Sequence, residues 1–206
     1  MKKKRDIKEF DYIANNIFAP AYPLIAKDIV DTTGILEGNC LDIGSASGHL
    51  GFAYLDITNT KVCMMDIEEE AIGIAKDKIK NRNLSSRVEA TFGDVHNIPL
   101  NEDTMDLVIS RGSLWFWDDK KTAFKEIKGV LKHNGYAYLG CGFGSKEVKE
   151  EIDKKMLEID PNWKNKKKEF SGVDPKEEFT NILKDIGIKD FNIVDDHRGF
   201  WVIFKK

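Results

Sequence analysis

The chain has 206 residues, of which 41% are hydrophobic and 33% are charged, and its formal net charge at pH 7 is −3. Such a composition excludes a disordered or fibrous protein. The near balance of 32 basic and 35 acidic side chains gives no overall field that would attract nucleic acid or anionic lipid. The length suits one domain, so we predict a single globular domain over residues 1–206.

Three features of the sequence bear on its compartment. The longest stretch without a charge, Tyr12 to Ala26, is shorter than the roughly 20 residues that span a bilayer. The basic start, Met1 to Arg5, is followed by acidic residues where a secretory leader has its apolar segment. The three cysteines have no C-x-x-C spacing, which is typical of reduced thiols. Together these features predict a cytoplasmic protein without membrane contact.

Apolar residues recur along the chain with periods that alternate between two and about 3.6, which is typical of an α/β domain with a mostly parallel sheet. Two amphipathic helices come first and are predicted to form a lid within residues 1–33. Only four residues, Asp195 to Arg198, separate the last two strands, so these strands must form an antiparallel hairpin. The basic run Lys164 to Lys168 is interpreted as a solvated surface loop.

The predicted strands are Asn39 to Ile43, Lys61 to Asp66, Arg87 to Phe92, Met105 to Ser110, Tyr136 to Cys141, Lys189 to Val194 and Gly199 to Phe204. The predicted helices are Asp6 to Asn16, Tyr22 to Asp31, His49 to Asp56, Glu68 to Asn81, Lys120 to Lys132 and Lys176 to Ile186.

The segment from Cys40 to Gly51 reads CLDIGSASGHLG, a buried strand that turns through a glycine-rich loop into a helix. Glycines in such a loop let the backbone approach a ligand closely, and the loop alone would also suit a dinucleotide. Asp42 separates the two possibilities. A carboxylate at the end of this strand would repel a pyrophosphate, whereas it suits a cofactor with an ammonium group and a positively charged sulfur.

The next two strands also end in acidic residues. Asp66 stands 22 positions after Gly44, where a carboxylate accepts hydrogen bonds from ribose hydroxyls. Ile67 is placed either against a flat base or in the core of the following helix. After the third strand, Asp94 can accept from an adenine amine while the Val95 N–H donates to a ring nitrogen. Because parallel strands end at one edge of the sheet, these residues predict a nucleoside-binding crevice.

Taken together, these segments resemble the class I S-adenosylmethionine-dependent methyltransferases, in particular the small single-domain kind called methyltransferase type 11. The resemblance implies a Rossmann-like α/β fold: a seven-stranded, mostly parallel sheet with an antiparallel C-terminal hairpin and helices on both faces. The sequence departs from the family pattern at Ala46, where a second glycine is usual, and at Asn134-Gly135, which replaces Pro-Gly. The matching segments are LDIGSASGHLG (41–51), Asp66, GDVHNIPL (93–100), MDLVISRGSLWFW (105–117) and EIKGVLKHNGYAYL (126–139).

The resemblance implies that S-adenosyl-L-methionine is the cofactor and S-adenosyl-L-homocysteine its product. The methionine end would be held by Asp42, Gly44, Ser45 and Gly48. The nucleoside would be held by Asp66 at the ribose, by Ile67 and Val95 at the adenine ring, and by Asp94 at its amine. Arg111 would contact either the methionine carboxylate or the acceptor.

The acceptor expected from the resemblance is a small molecule with a nucleophilic O, N, S or C atom. A nucleic-acid acceptor is disfavoured, because Ser110-Arg111-Gly112-Ser113 stands where base-extruding enzymes have an Asn or Asp-Pro-Pro-aromatic run. The ring cluster Trp115 to Trp117 is expected either to enclose the substrate or to anchor the next helix, and Tyr12 and Tyr22 of the lid are open to the same two readings.

No catalytic residue is assigned from the sequence. If the acceptor must lose a proton, four residues near the crevice in sequence are candidates for the base: His49, His96, Asp118 and Asp119. No metal site is expected, because the four histidines are dispersed without a ligand motif. Two alternatives stay open, a catalytically silent S-adenosylmethionine-binding module and an NAD(P)-dependent oxidoreductase, and nothing indicates the oligomeric state.

Overall fold

The computed structural model describes residues 6–163 and 174–206, so the predicted basic loop 164–168 and the basic start 1–5 lie outside the described residues. The helices are α1 (Ile7–Asn16), α2 (Ala21–Thr33), α3 (His49–Leu55), α4 (Glu69–Asn81), α5 (Lys120–Val130), α6 (Lys146–Ile159) and α7 (Pro175–Asp185). The strands are β1 (Glu37–Ile43), β2 (Asn59–Asp66), β3 (Val88–Phe92), β4 (Met105–Arg111), β5 (Leu131–Gly142), β6 (Asp190–Asp196) and β7 (Gly199–Lys205).

The seven strands form one sheet in the order β3-β2-β1-β4-β5-β7-β6. The strands from β1 to β5 pair in parallel, and β7 runs antiparallel between β5 and β6. The predicted fold class is therefore confirmed, including the C-terminal hairpin. Since the chain leaves β1 towards β2 on one side and later returns to β4 on the other, the sheet order reverses beside β1. Open α/β sheets bind ligands at such a reversal.

The two faces of the sheet carry separate cores, because successive side chains of a strand point to opposite faces. Cys40, Met64 and Leu107 pack on one face with apolar residues of α1, α2, α3, α4 and α6. Their chain neighbours Leu41, Met65 and Val108 pack on the other face with α5 and α7. Helices thus cover both faces, as the sequence predicts.

Two elements differ from the sequence prediction. The predicted helix to Lys132 ends at Val130, and β5 begins at the fully buried Leu131, which pairs with Met105 of β4. Helix α6 is not predicted at all, although Val148, Ile152 and Met156 recur at intervals of four and pack on the first core. The many charged residues between these three obscured the helical period in the sequence.

Helices α1 and α2, here called the N-terminal helix pair, are anchored to the sheet as well as lying over it. Ala14 of α1, Ile25 of α2 and Phe18 in the link between the two helices belong to the first core. Asp28 of α2 accepts a hydrogen bond from the Tyr138 hydroxyl of β5 at 2.5 Å and one from Arg198 Nη1 at 3.0 Å. In the described part of the chain, no helix is both long enough and apolar enough to cross a membrane.

The close pairing of β5 with β7 generates a stability prediction. A Cβ atom at Gly140 of β5 would lie 2.0 Å from the backbone carbonyl oxygen of Phe200. Because backbone atoms cannot move aside cheaply, we expect Gly140→Ala to lower the free energy of unfolding by about 2–3 kcal/mol.

The control is Gly73→Ala in the interior of α4, where a Cβ atom has no neighbouring atom within 4 Å. This substitution should raise the free energy of unfolding by about 0.5–1 kcal/mol, because alanine is the better helix former. Urea denaturation of both variants measures the effects, and equal stabilities would contradict the close approach at Gly140.

Candidate functional site

A cleft lies between the N-terminal helix pair and the carboxyl ends of β1 and β4. It contains about 300 Å³ of empty space, part of it open to solvent. Its walls include Tyr22 of α2, Asp42 at the end of β1, the loop Gly44 to Ala46, His49 at the start of α3 and Arg111 at the end of β4. The cleft therefore lies at the reversal of the sheet, where the sequence predicts the crevice.

The loop after β1 is held by the end of β2. The N–H groups of Gly44 and Ser45 both donate to the carbonyl oxygen of Met65, at 2.8 and 3.1 Å. The N–H of Ala46 donates to Asp66 Oδ2 at 2.7 Å. Ala46 has a φ of +49°, in the left-handed region that favours glycine. The loop thus keeps a glycine-type conformation although it has alanine at this position.

Asp42 is a buried acid with one oxygen available to the cleft. Its side chain is 1% exposed, and its Oδ2 accepts the N–H of Gly51 at 2.9 Å. Its Oδ1 accepts no hydrogen bond from the described residues. Every fully buried side-chain oxygen or nitrogen of these residues has a hydrogen-bond partner. Oδ1 is therefore not fully buried, and it reaches the cleft that Asp42 lines. Burial, together with the charge of Asp66, raises the pKa of Asp42 to about 8, against the effect of the Gly51 N–H.

Asp66 does more than the sequence suggested. Its Oδ2 accepts the N–H of Ala46, and its Oδ1 accepts the N–H of Glu68 at 3.0 Å. One carboxylate therefore holds both the loop after β1 and the start of α4. The following residue, Ile67, is 57% exposed and is therefore not a core residue of α4. Of the two roles open from the sequence, the core position is thus wrong, and contact of Ile67 with a base stays a prediction.

Asp94 and His96 form a separate polar group beside β3. Asp94 Oδ1 accepts from the His96 N–H at 2.9 Å and from His96 Nδ1 at 2.7 Å, and these bonds lower the pKa of Asp94. The N–H of Asp119 donates to His96 Nε2 at 3.3 Å. Because a backbone N–H can only donate, Nε2 is unprotonated and the imidazole proton is on Nδ1. Both nitrogens of His96 are thus engaged, while Val95 is buried.

Arg111 projects from the end of β4 to the wall of the cleft. Its Nε donates to the carbonyl oxygen of Gly142 at 3.1 Å. Its guanidinium carbon lies 5.0 Å from the ring centre of Phe18, 5.1 Å from that of Tyr22 and 5.2 Å from that of Phe143. Within residues 6–163 and 174–206 it has no carboxylate partner. The three rings hold this cation at the boundary between the N-terminal helix pair and the sheet.

A second polar cluster joins α1 to the loop and was missed in the sequence. Asp11 of α1 accepts hydrogen bonds from the Ser47 hydroxyl and from Lys78 Nζ of α4, the latter at 2.6 Å. Burial alone would raise the pKa of Asp11, but the bonds from Lys78 and Ser47 outweigh it and lower the pKa. Asp11 and Lys78 lie 67 positions apart, so no local pattern marks the pair.

His49 belongs to the same cluster and is neutral near pH 7. Burial lowers the pKa of His49 to about 4, and the positive charge of Lys78 adds to the effect. Its Nε2 lies 3.0 Å from Asn15 Oδ1, and the Asn15 amide nitrogen donates to Asp11, so the Asn15 oxygen faces His49 as acceptor. Nε2 also lies 3.4 Å from Nζ of Lys78. A histidine with so low a pKa is a weak base at neutral pH.

The aromatic run after β4 divides between two positions. The Trp115 ring centre lies 5.2 Å from that of Phe200, and the Trp117 ring centre lies 6.1 Å from that of Phe124. Both tryptophans thus pack in the core formed with α5 and α7, as anchors, whereas Phe116 is 53% exposed. The structure places neither tryptophan in the wall of the cleft.

The structure brings part of the predicted set into one cleft. Asp42, Gly44, Ser45 and Arg111 line it, and Gly48 caps the N-terminus of α3 next to it. Asp66, Ile67, Asp94 and Val95 follow the neighbouring strands β2 and β3, whose ends are joined by a hydrogen bond from the Gly93 N–H to the Asp66 carbonyl oxygen at 3.1 Å. The predicted residues therefore lie along one edge of the sheet, and their contacts with a cofactor stay a prediction.

Comparison with known proteins identifies the family of this chain. Residues 41–139 match the family model described as a methyltransferase domain. The crystal structure of a Methanococcus maripaludis protein assigned as an S-adenosyl-L-methionine-dependent methyltransferase superposes with a TM-score of 0.93 at 37% sequence identity, and the match covers 100% of this chain and 97% of that one. The chain therefore belongs to the class I S-adenosylmethionine-dependent methyltransferases, which use S-adenosylmethionine as methyl donor.

More distant relatives are methyltransferases with more specific names. The ubiquinone/menaquinone biosynthesis C-methyltransferase UbiE of Marinomonas sp. is 25% identical over 130 residues, which are 62% of this chain and 52% of that protein. The erythromycin 3''-O-methyltransferase of Saccharopolyspora erythraea is 25% identical over 118 residues, 56% of this chain and 39% of that protein. The chain thus spans about half or less of the length of these two relatives.

The cluster around Asp11 generates a prediction about the N-terminal helix pair. We expect Lys78→Met to leave the Asp11 carboxylate without its cation, to lower the free energy of unfolding by about 1 kcal/mol, and to speed amide exchange in α1 several-fold. The estimate is small because both side chains are partly exposed, Lys78 by 25% and Asp11 by 20%.

The matched control is Lys80→Met on the same helix, because Lys80 is exposed and has no ion pair in the part of the chain that the structure describes. Hydrogen exchange followed by mass spectrometry measures both variants. Equal exchange rates in α1 for the two variants would show that the Asp11 cluster does not hold this helix.

Proposed function

We propose that this protein transfers the methyl group of S-adenosylmethionine to a nucleophilic atom of a small molecule. The observation that carries the proposal is the free Oδ1 of Asp42 beside the glycine-rich loop and Arg111, all in one cleft under the N-terminal helix pair. Two relatives, a C-methyltransferase of ubiquinone/menaquinone biosynthesis and an erythromycin 3''-O-methyltransferase, support an acceptor of small-molecule size.

In this proposal the methionine end of the donor lies in the cleft. The free oxygen of Asp42 binds the donor's ammonium group, and ionisation of this buried acid is favoured by the cation it receives. The loop backbone at Gly44 and Ser45, with the start of α3 at Gly48, lies along the aliphatic chain. Arg111 contacts the donor carboxylate or the acceptor.

The nucleoside would occupy the ends of β2 and β3. Each oxygen of Asp66 accepts one backbone N–H, and since a carboxylate oxygen can accept two hydrogen bonds, both can still receive a ribose hydroxyl. Ile67 would lie against the adenine ring, Val95 would offer its backbone N–H, and Asp94 would accept from the amine through Oδ2, which His96 leaves unbound.

The bound donor supplies an already activated methyl group, so the residues of this chain mainly position the reactants and exclude water. The N-terminal helix pair would provide the exclusion, and opening and closing of this pair as a lid stays a prediction. We assign no general base, because His49 has a low pKa and both nitrogens of His96 are engaged.

We further propose that the protein works in the cytoplasm, which its three free cysteine thiols support. We also propose that residues 1–206 form a single domain. The expectations that it uses no metal and does not act on nucleic acid stay predictions.

The first experiment compares ligands by thermal unfolding. At about 100 times their Kd, S-adenosylmethionine and S-adenosylhomocysteine should add about 2.7 kcal/mol to the stability and raise Tm by several degrees, whereas NAD and NADP should not. Incubation of the protein with methyl-labelled donor and a metabolite extract should then label a small molecule.

Two outcomes would contradict the proposal. Preferential stabilisation by NAD or NADP would favour the oxidoreductase. Binding of the donor without transfer to any compound of the extract would favour a silent binding module.

Asp42 makes the affinity for the donor product depend on pH. Because the ammonium group favours ionised Asp42, binding should lower a pKa that is about 8 in the free protein and release a proton. The affinity for S-adenosylhomocysteine should therefore rise between pH 6 and pH 8, by up to about tenfold per pH unit.

Calorimetry in buffers of different ionisation enthalpy measures both the affinity and the proton release. The control ligand is 5′-methylthioadenosine, which has no ammonium group and should bind without this pH dependence. Asp42→Asn keeps an acceptor for the Gly51 N–H but should abolish the proton release. An unchanged pH profile in this variant would contradict the role of Asp42.

A further inference from the structure

His96 lies in the turn after β3, and its ring is held at both nitrogens. Nδ1 lies 2.7 Å from Asp94 Oδ1, and Nε2 accepts the N–H of Asp119 at 3.3 Å. Because Nε2 is the acceptor in the second bond, the ring proton is on Nδ1, which donates to Asp94. The two bonds lie on opposite sides of a rigid ring, so they fix its orientation.

The bonds from His96 occupy one oxygen of Asp94 and leave the other available. Oδ1 accepts both the backbone N–H and the ring N–H of His96. Oδ2 accepts no hydrogen bond from the described residues, and the side chain is 46% exposed. The same bonds lower the pKa of Asp94, so at neutral pH its carboxylate is ionised and can accept but not donate.

The turn that carries Asp94 is tied to α5 at two points. The N–H of Asp119, the residue before α5, binds the His96 ring, and Glu126 of α5 accepts the N–H of Ile98 at 3.0 Å. Asp119 also caps the N-terminus of α5, and this helix packs in the core formed with α7. His96 therefore connects the orientation of Asp94 to a packed helix.

We propose that His96 is a positioning residue, which holds Asp94 as a fixed hydrogen-bond acceptor and so makes the site select a purine with an amino group over one with an oxo group. The inference rests on the proposed function, in which Asp94 accepts from the adenine amine. An amine donates to Oδ2, whereas an oxo group at the same place would bring a second acceptor against a carboxylate that cannot donate. His96 sets how strongly this difference is felt, because it orients the carboxylate.

The two bonds of His96 can be removed one at a time. An asparagine amide reaches the position of Nδ1 and can donate to Asp94, but it is too short to reach Asp119. A glutamine amide reaches the position of Nε2, where its oxygen can accept the Asp119 N–H, and it leaves the Nδ1 position empty. These two substitutions therefore separate the bond that orients Asp94 from the bond that holds α5.

The test compares S-adenosylhomocysteine with S-inosylhomocysteine, in which an oxo group replaces the adenine amine. Calorimetry gives the two Kd values, and their ratio is the selectivity. His96→Gln should lower this selectivity about tenfold, mainly by weakening the binding of S-adenosylhomocysteine. His96→Asn restores the donor to Asp94 and should keep the selectivity within about threefold of that of the unmodified protein.

Nitrogen NMR of the histidine-labelled protein adds a check that needs no ligand, because protonated and unprotonated ring nitrogens have well separated chemical shifts. We expect the proton of the His96 ring on Nδ1. A proton on Nε2 would overturn the hydrogen bond on which the proposal rests.

The matched control is His133→Gln. His133 is exposed and lies near the beginning of β5, at the edge of the sheet opposite the carboxyl ends of the parallel strands. This variant should have the selectivity of the unmodified protein.

Three results would overturn the assignment. Unchanged selectivity in His96→Gln would exclude a positioning role. An equal loss of affinity for both compounds would show a general structural effect on the turn. An equal fall of selectivity in His96→Asn and His96→Gln would show that the donor to Asp94 is not the cause. If the unmodified protein bound neither compound, the proposed function itself would fail, which is a distinct result.

Discussion

The hydrogen bonds from the loop after β1 to the end of β2 are the interaction on which the site depends. The Met65 carbonyl oxygen receives two N–H groups of this loop, and the Asp66 carboxylate receives a third. They fix the loop in a turn with left-handed residues, which keeps the backbone close to the cleft. The same Asp66 holds the start of α4, so the regions proposed to bind the two ends of the donor are mechanically joined.

Burial of Asp42 shows how the sheet can prepare a site for a cation. The carboxyl group is shielded from water by β1 and α3. One of its oxygens accepts a hydrogen bond from the Gly51 N–H. An acid in such a place costs free energy when ionised in the empty protein. A ligand with an ammonium group relieves that cost, and this favours the amino-acid tail of the donor over a diphosphate.

The N-terminal helix pair is tied to the body by polar groups from distant parts of the chain. Asp11 contacts Lys78 of α4, and Asp28 contacts Tyr138 and Arg198. Arg111 lies among three rings, those of Phe18 between α1 and α2, Tyr22 of α2 and Phe143 after β5. The inner side of the pair also contributes Ala14, Ile25 and other residues to a core of the sheet. The pair is therefore both a structural layer of the domain and one wall of the cleft.

The architecture and the acidic residues at the strand ends could be predicted from the sequence. Hydrophobic periods separate helices from strands, and the short link before β7 requires a hairpin, because both are local properties. Asp42, Asp66 and Asp94 were identifiable because parallel strands must end at one edge, whatever the packing details. Helix α6 was not predicted, because the charged residues between Val148, Ile152 and Met156 obscure the helical period of these three apolar residues.

Contacts between side chains that are far apart in the chain could not be predicted, because they depend on tertiary packing. The pairing of Asp11 with Lys78, the hydrogen bond from the Ala46 N–H to Asp66, and the anchoring role of Trp115 and Trp117 depend on how whole layers pack. The same holds for the pKa of Asp42, because its burial is set by neighbours that are remote in the chain. Local sequence patterns carry no information about such neighbours.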